Sequence, residues 1–447
     1  MSKTINYGID LGTTNSSIAL YDGNEVRVFK NRDMMDITPS VVRIEKTGRI
    51  IVGRRAYQSL FTDADNVAAE FKRWMGQSDR KHFKAADKML TAEELSAEIL
   101  KSLLDDARRL TTDLVKAAVI TVPAAFGQLQ CEATARAATL AGLTEAPLLQ
   151  EPLGASIAYS MKPGSKNKRW LVYDLGGGTF DIAIVSTHEG QLTILEHQGD
   201  NMLGGKDFDR LILKKIFWPR LQGSFNLPDL GEQTSKRQKL LKVIHGKAEE
   251  VKIDLSLAQR ATVSIFDVGE DDDGDTIEAE FEITREELNQ LIEPYIVKTI
   301  ELCRKAIEGA HISAEDISTI ILVGGPTQTP LLREMLTQEL GIRLDFTIDP
   351  MTAVARGAAV YAATIPLKKV SVKHTKPQAL PINLAHEPVC SETSCLVAGR
   401  IETMPQNVDQ IEIRIEAETG HWTSGWLPIQ KGYFEAKVHL LEAHIQP

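Results

Sequence analysis

Apolar and polar residues recur with different periods along the chain, and these periods predict its elements. Near the N-terminus, the stretches INYGIDLG and SSIALY flank a polar turn at 13–15, which predicts a β-hairpin. From Leu95 to Ala107 leucine, isoleucine and alanine recur every three or four residues, which predicts an amphipathic helix. Because Thr91 and Glu94 precede this pattern with the spacing of a capping box, we expect the helix to begin there.

The same two signals continue to about residue 365 and indicate a mixed α/β fold. KAAVITVPAAF, RWLVYDLGGGTFDIAIV and STIILVGG are rich in β-branched residues and predict strands. A second capping box, Thr284 with Glu287, opens a pattern that predicts a long helix through Ile307. ATVSIF and TIEAEFEI predict a further hairpin, and we expect its acidic tip at 270–275 to be a solvated turn.

The pattern changes after Pro366. The next residues contain several prolines and show no helical period, so we expect a linker at 367–380. Further on, apolar and polar residues alternate, as they do around Phe434 and Ala436, which predicts antiparallel strands with one solvated face. We therefore expect a small β-sandwich-like domain at 381–447, and because the pattern stops abruptly we expect it to be incomplete.

Composition excludes some classes of function. The chain has 447 residues, of which 43% are hydrophobic and 25% charged, as in ordinary globular proteins. A formal net charge of −10 without a basic tract argues against nucleic-acid binding. The sequence shows neither a signal-peptide pattern nor the roughly 18 apolar residues of a membrane span, and its four cysteines are scattered. We therefore expect a cytoplasmic protein that binds no membrane.

Two glycine-rich turns carry the chemistry. DLGTTNSSIAL from Asp10 and DLGGGTFDIAI from Asp174 share five residue types in register, and the pair Gly324–Gly325 follows a third apolar strand. Glycine lets backbone N–H groups approach a phosphate, whereas an aspartate contributes by holding a hydrated Mg²⁺ that bridges phosphate oxygens. We therefore predict a site where two halves of the chain close on a triphosphate from opposite sides. The hydroxyl donors expected there are Thr13, Thr14 and Thr179.

Finer motifs resemble the 70-kilodalton heat-shock (DnaK-like) chaperone family, a branch of the actin, hexokinase and heat-shock ATPase superfamily. The two turns resemble its phosphate loops, GDNMLGGKDFD resembles its GD-x-x-LGG-x-DFD motif, AEEVKIDLSLAQ its adenosine-binding helix, and ILVGGPTQTPLLREML its third nucleotide loop. The likeness covers residues 5 to about 365, with the motifs in the family's order. It implies a two-lobed actin-like ATPase fold built from duplicated ribonuclease-H-like halves, with lobe I at 1–170 and lobe II at 171–366.

The resemblance also implies a role for each matching residue. Asp10 and Asp174 would position Mg²⁺, largely through water, and Lys72 would reach the γ-phosphate region. Glu151 and Asp181 would orient or deprotonate the attacking water. Thr179 would hydrogen-bond the γ-phosphate. The backbone contacts would come from Gly12, Gly176, Gly177, Gly178, Gly204, Gly205, Gly324 and Gly325, and the adenine and ribose contacts from Glu249, Lys252, Ser256 and Gln328.

The function that the resemblance implies is binding and slow hydrolysis of ATP with Mg²⁺, with ADP as product and K⁺ as a further candidate ion. The implied partners are J-domain co-chaperones, nucleotide exchange factors and unfolded polypeptide clients. Several positions depart from the family: Gln328 stands where an arginine lies beside the adenine, and Met351 replaces an acidic residue. The other departures are Ala125, Gln150, Leu153 and Lys206.

The residues alone leave other interpretations open. The same superfamily contains sugar and polyol kinases, in which an acceptor hydroxyl replaces water. A nucleotide-gated scaffold without turnover is a third hypothesis, and an actin-like filament former a fourth. Individually, Lys72 could be a surface lysine, and Glu249 with Lys252 could be an ordinary salt bridge within a helix.

Overall fold

The structure is a computed structural model that describes residues 4–60, 63–111, 114–161, 168–188, 191–200, 202–230, 237–367 and short segments between 382 and 439. The chain divides into two compact units, Met1–Leu367 and Lys368–Pro447. The predicted linker lies almost wholly outside the described residues. Within the described ranges, no helix is both long and apolar enough to cross a bilayer.

The larger unit begins with strands joined by short helices. The strands up to residue 150 are β1 Tyr7–Leu11, β2 Asn15–Tyr21, β3 Val26–Val28, β4 Thr38–Pro39, β5 Val41–Ile44, β6 Ile50–Val52, β7 Val67–Ala69, β8 Arg80–Phe83, β9 Lys88–Thr91, β10 Val119–Val122 and β11 Leu148–Gln150. The helices of this part are α1 Arg54–Ser59, α2 Ala92–Thr111, α3 Gln128–Leu140 and α4 Glu151–Ser160.

The same unit continues with a second set of elements. Its strands are β12 Arg169–Leu175, β13 Phe180–His188, β14 Gln191–Asp200, β15 Arg260–Ile265, β16 Ala279–Thr284, β17 Thr319–Val323 and β18 Leu344–Asp345. Its helices are α5 Gly205–Ile212, α6 Trp218–Gln222, α7 Gln238–Leu257, α8 Arg285–Gly309, α9 Pro330–Leu340 and α10 Ala353–Ala362.

The first large sheet has the strand order β11-β10-β1-β2-β3, with β4 also paired to β2. The predicted hairpin is confirmed, because β1 and β2 are antiparallel with Asp10 opposite Ser17. β10 runs parallel to β1, so both strands end at the same edge of the sheet. The capping box is also confirmed: the Thr91 N–H donates to Glu94 at 2.8 Å, and the Glu94 N–H donates to the Thr91 hydroxyl at 3.3 Å.

The second large sheet, β14-β13-β12-β17-β18, repeats this plan. β12 and β13 form an antiparallel hairpin in which Asp174 lies opposite Asp181. β17 runs parallel to β12 and brings Val323 beside Asp174. Each sheet therefore places an aspartate and a tight turn where a hairpin meets the end of a parallel strand. The predicted helix α8 packs against this sheet and begins at its capping box, Thr284 with Glu287.

Helix α10 packs against the first sheet although it follows the second in sequence. A Cβ on Gly8 of β1 would lie 2.1 Å from the backbone nitrogen of Ala359. A Cβ on Gly357 of α10 would lie 1.7 Å from the carbonyl oxygen of Gly154 in α4. Glycine is required at these crossings because the backbones touch. The predicted lobe bounds stay a prediction. They assign α10 to lobe II, although α10 packs against the sheet of lobe I.

Gly357→Ala is expected to destabilise the protein by about 3 kcal/mol or more, because the added methyl group has no room between two helix backbones. Urea unfolding monitored by circular dichroism measures this change. Gly223→Ala is the matched control: its Cβ would lie 3.4 Å from the Arg220 carbonyl oxygen, an ordinary van der Waals contact. A Gly357→Ala protein as stable as the control would contradict the close crossing.

The smaller unit contains β19 Ile382–His386, β20 Ser394–Ile401, β21 Glu412–Ile413, β22 Leu427–Pro428 and β23 Tyr433–His439. The order β19-β20-β23 is antiparallel. In β23, Phe434 and Ala436 are buried whereas Tyr433 and Glu435 are exposed, which confirms the alternation predicted there. The rest of the predicted β-sandwich-like domain lies outside the described residues.

Candidate functional site

The first glycine-rich turn is held rigidly by neighbouring hydroxyl groups. It joins β1 to β2, and the Gly12 N–H donates to Ser16 Oγ at 3.1 Å. The Ser40 hydroxyl donates to the Gly12 carbonyl at 2.7 Å and lies 2.9 Å from Ser16 Oγ. Asp10, at the end of β1, accepts a hydrogen bond of 3.0 Å from Thr121 of β10. The turn and its aspartate are therefore both held by hydrogen bonds within the protein.

The second turn faces the first across a narrow gap. It joins β12 to β13 and is closed by a 2.9 Å hydrogen bond from the Gly176 N–H to the Thr179 carbonyl. A Cβ on Gly177 would lie 2.2 Å from Thr14 Oγ1 of the first turn. The absence of that Cβ lets the two turns approach, and it places their backbones on opposite sides of one space.

A third turn follows β17 and completes this edge. Gly324 has φ 87°, in the left-handed region that favours glycine. A Cβ on Gly324 would lie 2.1 Å from the Leu175 carbonyl oxygen, so a side chain there is excluded. Met351 Sδ lies 3.1 Å from the Cβ position of Gly325. The third turn therefore packs directly behind the second, with a thioether beside it in place of a carboxylate.

Lys72 is buried beside the two aspartates. It belongs to a short helical turn, Phe71–Trp74, and only 4% of its side chain is exposed. Its Nζ lies 2.8 Å from Glu151 Oε1, at the first residue of α4, and 5.4 Å from the ring centroid of Phe126. The interpretation of Lys72 as a surface lysine is therefore wrong. A buried ammonium group beside carboxylates is suited to receive a phosphate.

Three aspartates near Lys72 have raised pKa values. Burial and nearby Glu151 raise the pKa of Asp10 to about 7, against the lowering effects of Lys72 and of the Thr121 hydrogen bond. The pKa of Asp181 is likewise raised to about 7 by burial and by Glu151. Burial together with the neighbouring carboxylates raises the pKa of Asp174 well above its ordinary range. Several carboxyl groups with raised pKa values in one place indicate a site that binds a cation.

One cleft brings most of the predicted residues together. Counted out to its open mouth, and so including open solvent, it encloses about 670 Å³. The predicted residues that line it are Asp10, Gly12, Thr13, Thr14, Lys72, Glu151, Asp174, Gly176, Gly177, Thr179, Gly324 and Gly325. The lining residues that sequence reasoning did not assign to the site are Asn15, Pro123, Val323, Pro350 and Val354, with Met351 noted only as a departure.

A second, much smaller cavity of about 10 Å³ lies behind the cleft. Glu151, Asp174 and Asp181 line it, together with apolar residues such as Ala124 and Val172. This volume is about that needed for one water molecule, and the three carboxylates supply hydrogen-bond acceptors for it. The predicted water-orienting residues, Glu151 and Asp181, therefore border one water-sized space.

Gly204 and Gly205 lie behind the second turn, outside the cleft lining. The Gly205 N–H donates to the Gly176 carbonyl at 3.0 Å. A Cβ on Gly204 would lie 2.3 Å from the Gly178 nitrogen. Both glycines begin α5 and support the turn from behind in this structure, whereas their predicted contacts with a ligand stay a prediction.

The predicted adenosine residues lie on α7 beside α5. Lys252 forms an ion pair of 2.7 Å with Asp209 and donates to the Gly205 carbonyl at 3.2 Å. Glu249 accepts a hydrogen bond from Tyr57 of α1, which is in the other half of the unit, and burial raises its pKa. Ser256 donates to the Lys252 carbonyl at 3.1 Å. The closest ion pair of Lys252 is thus with α5, and its predicted role stays a prediction.

Gln328 is exposed at the end of a short helical turn, Gly325–Gln328. Its predicted place beside the base is not tested by the structure. Sequence reasoning missed the supporting partners Ser40, Thr121 and Arg73. Their signal is not local, because each lies at least 24 positions from the residue that it holds.

The residues of the cleft suit a triphosphate with Mg²⁺. Thr14 lines the cleft, and its Oγ1 is buried without a hydrogen-bond partner among the described residues. This hydroxyl group is therefore available to donate to a bound phosphate. Because the two turns approach each other, their backbone groups can contact a phosphate in the cleft. The carboxylates of Asp10 and Asp174 are oxygen ligands of the kind that Mg²⁺ prefers. In the described part of the chain, no three His, Cys, Asp or Glu side chains form a ready-made metal cluster.

Comparison with known proteins identifies the family. The profile of the Hsp70 protein family matches residues 6–417. The chaperone protein DnaK of Mycoplasma mobile is 37% identical over 366 residues, which are 82% of this chain and 59% of that protein. DnaK of Nitrosopumilus maritimus is 34% identical over 371 residues, 82% of this chain and 56% of that protein. DnaK of Thermotoga petrophila is 36% identical over 361 residues, 80% of this chain and 59% of that protein.

These matches cover most of this chain but little more than half of each relative. They agree with the duplicated turns, the paired sheets and the cleft between them. The chain has the two-lobed, actin-like ATPase fold and belongs to the Hsp70 protein family.

Proposed function

We propose that this chain binds ATP with Mg²⁺ between its two lobes and hydrolyses it slowly, as the nucleotide-driven part of an Hsp70-type molecular chaperone. The observation that carries the proposal is the meeting of the two glycine turns with the buried Lys72 in one cleft. The relatives named chaperone protein DnaK support it. The sugar or polyol kinase is not favoured, because the matching relatives are chaperones.

Lys72 and the turns would stabilise the transferred phosphoryl group. The Lys72 ammonium, now held by Glu151, would exchange that partner for oxygens of the γ-phosphate. Charge develops on these oxygens and on the leaving oxygen during in-line attack, so a desolvated cation beside them lowers the barrier. Thr13, Thr14 and Thr179 would add hydroxyl donors. The turns would place the phosphates before reaction, because their positions are already fixed.

Glu151 and Asp181 would orient the attacking water. Both border the water-sized cavity, and burial brings the pKa of Asp181 to about 7. A carboxylate that titrates near neutral pH is well matched to accept a proton from water. The slow rate suits a switch, since the bound nucleotide then defines a state that persists long enough for partners to bind.

Asp10 and Asp174 would hold a hydrated Mg²⁺, with K⁺ as a further candidate ion. When bound, Mg²⁺ supplies charge stabilisation for the phosphate oxygens. The two aspartates lie at matching strand ends of the two sheets, which is why they converge. Glu249, Lys252, Ser256 and Gln328 would hold the adenine and ribose.

The output would be a change in the angle between the lobes. Partners of the kind known for such chaperones, namely J-domain co-chaperones, nucleotide exchange factors and unfolded polypeptides, would bind according to that state. The chain spans 56–59% of the three DnaK relatives described above, so its action on clients is part of this proposal.

Steady-state ADP release, measured with and without a panel of sugars and polyols, tests the reaction class. We expect slow ADP release that needs Mg²⁺ and that no acceptor accelerates, because the carboxylates border a cavity sized for water. ADP release that depends on an acceptor would indicate a kinase. Tight ATP binding without any ADP would indicate a nucleotide-gated scaffold.

A further inference from the structure

Three charged side chains bridge the two halves of the larger unit at the second turn. Glu70 precedes the helical turn that carries Lys72, and Arg73 follows Lys72. Lys206 lies in α5, on the other side of the cleft. One carboxylate oxygen of Glu70 lies 3.1 Å from Arg73 Nη1, and the other forms an ion pair with Lys206. A single acid therefore joins cations from both sides.

Glu70 adopts an unusual backbone conformation at this point. Its φ of 58° and ψ of 14° lie in the left-handed region, which a glutamate rarely adopts. Such strain persists where the surrounding contacts fix the residue. At Glu70 these contacts are its two ion pairs. In the left-handed conformation the Glu70 carboxylate contacts both Arg73 and Lys206.

The same cluster holds two carbonyl groups of the second turn. Arg73 Nη2 donates to the Gly178 carbonyl at 2.7 Å, and the backbone N–H of Lys206 donates to the Gly177 carbonyl at 2.9 Å. A trans peptide unit is planar, so its N–H points opposite to its carbonyl group. Fixing these two carbonyls therefore fixes the direction of the N–H groups of Gly178 and Thr179.

We propose that Glu70, Arg73 and Lys206 form an interlobe clasp that positions the second turn and keeps the cleft closed on its nucleotide. The three are positioning residues, because they act through the turn. The inference rests on the proposed function for its nucleotide readout. The side chains are 24–30% exposed, so opening the clasp returns them to water at modest cost.

Charge reversal tests the clasp. In Lys206→Glu two carboxylates face each other, so we expect a fluorescent ADP analogue to dissociate about tenfold faster, which corresponds to about 1.4 kcal/mol. The double exchange Glu70→Lys with Lys206→Glu restores one interlobe pair and is expected to return most of that loss. Arg260→Glu is the control, since it reverses the surface pair Arg260–Glu282 at 2.6 Å far along the chain in the β15–β16 hairpin.

Hydrogen exchange of the nucleotide-free protein gives a second readout. The clasp predicts that the hydrogen-bonded amides of Gly176 and Gly205 lose protection in Lys206→Glu and regain it in the double exchange, while the control keeps it. Unchanged dissociation and exchange in Lys206→Glu, or a double exchange without recovery, would overturn the clasp. A parent protein that binds no nucleotide but passes the exchange test would contradict the proposed function and still support the clasp.

Discussion

Lys72→Ala is expected to slow ATP cleavage by about 10²- to 10³-fold, the usual loss when one group that stabilises the transition state is removed. Lys72 is the only lysine or arginine among the described residues that line the cleft, so no other lining cation can replace it. We expect nucleotide binding to change much less, because on the proposed function the glycine turns would contact the phosphates independently of Lys72. Rapid quenching of labelled ATP measures cleavage, and equilibrium titration measures binding.

The same variant has a second expected signature. Lys72 lowers the pKa of Asp10, Asp174 and Asp181, against the larger effect of burial. Without this cation, the pKa of the proposed base Asp181 rises, so the rising limb of the pH–rate profile is expected to move to higher pH. Lys72→Met removes the ammonium group and keeps an unbranched side chain of similar length, and Lys84→Ala removes an exposed lysine as control. Cleavage at the parental rate in Lys72→Met would contradict the assignment.

Asp10→Asn is expected to stabilise the nucleotide-free protein while destroying its response to Mg²⁺. Asp10 is partly buried and its pKa rises from 3.8 to about 7, so between these values the folded state binds more protons than the unfolded state. Stability then falls as the pH rises through this window, and the loss is complete above about pH 7. Asparagine cannot ionise and still accepts the Thr121 hydroxyl. At pH 8 we expect a gain on the order of 2–4 kcal/mol.

Urea unfolding of both proteins between pH 4 and 8 measures this effect. The free energy of unfolding of the parent should fall as the pH rises through this window. That of Asp10→Asn should fall less, but not remain constant, since Asp174 and Asp181 still titrate. Added Mg²⁺ with ATP should stabilise the parent much more than the variant. Asp33→Asn, at an exposed position, is the matched control. A variant less stable than the parent at pH 8, or equally stabilised by Mg²⁺ with ATP, would contradict the account.

The repeated turn could be predicted because its chemistry is local. Asp10 with Gly12 and Asp174 with Gly176 combine an acid and a flexible turn within a few residues, and the apolar runs before them predict strands. The sheet pairing then brings both strand ends to one cleft, as a duplicated motif suggests. The capping box at Thr91 was predictable for the same reason.

Contacts between distant residues could not be predicted. Ser40 and Thr121 hold the first turn, but nothing near them in sequence indicates a partner. The acidic tip at 270–275 illustrates the limit: it is exposed, as expected of a solvated turn, except at Asp271. Asp271 accepts backbone N–H groups from Asp273 and Asp275 within the tip, and from Asn226 at 2.8 Å across 45 positions. Such partners depend on how loops meet after the sheets have formed.

A single turnover of γ-labelled ATP by the unmodified chain, with Mg²⁺ present and with Mg²⁺ chelated, tests the central claim most directly. The account predicts slow release of phosphate to water that needs Mg²⁺, because the carboxylates and Lys72 lie together in one cleft. Bound ATP that stays intact in the presence of Mg²⁺ would contradict it.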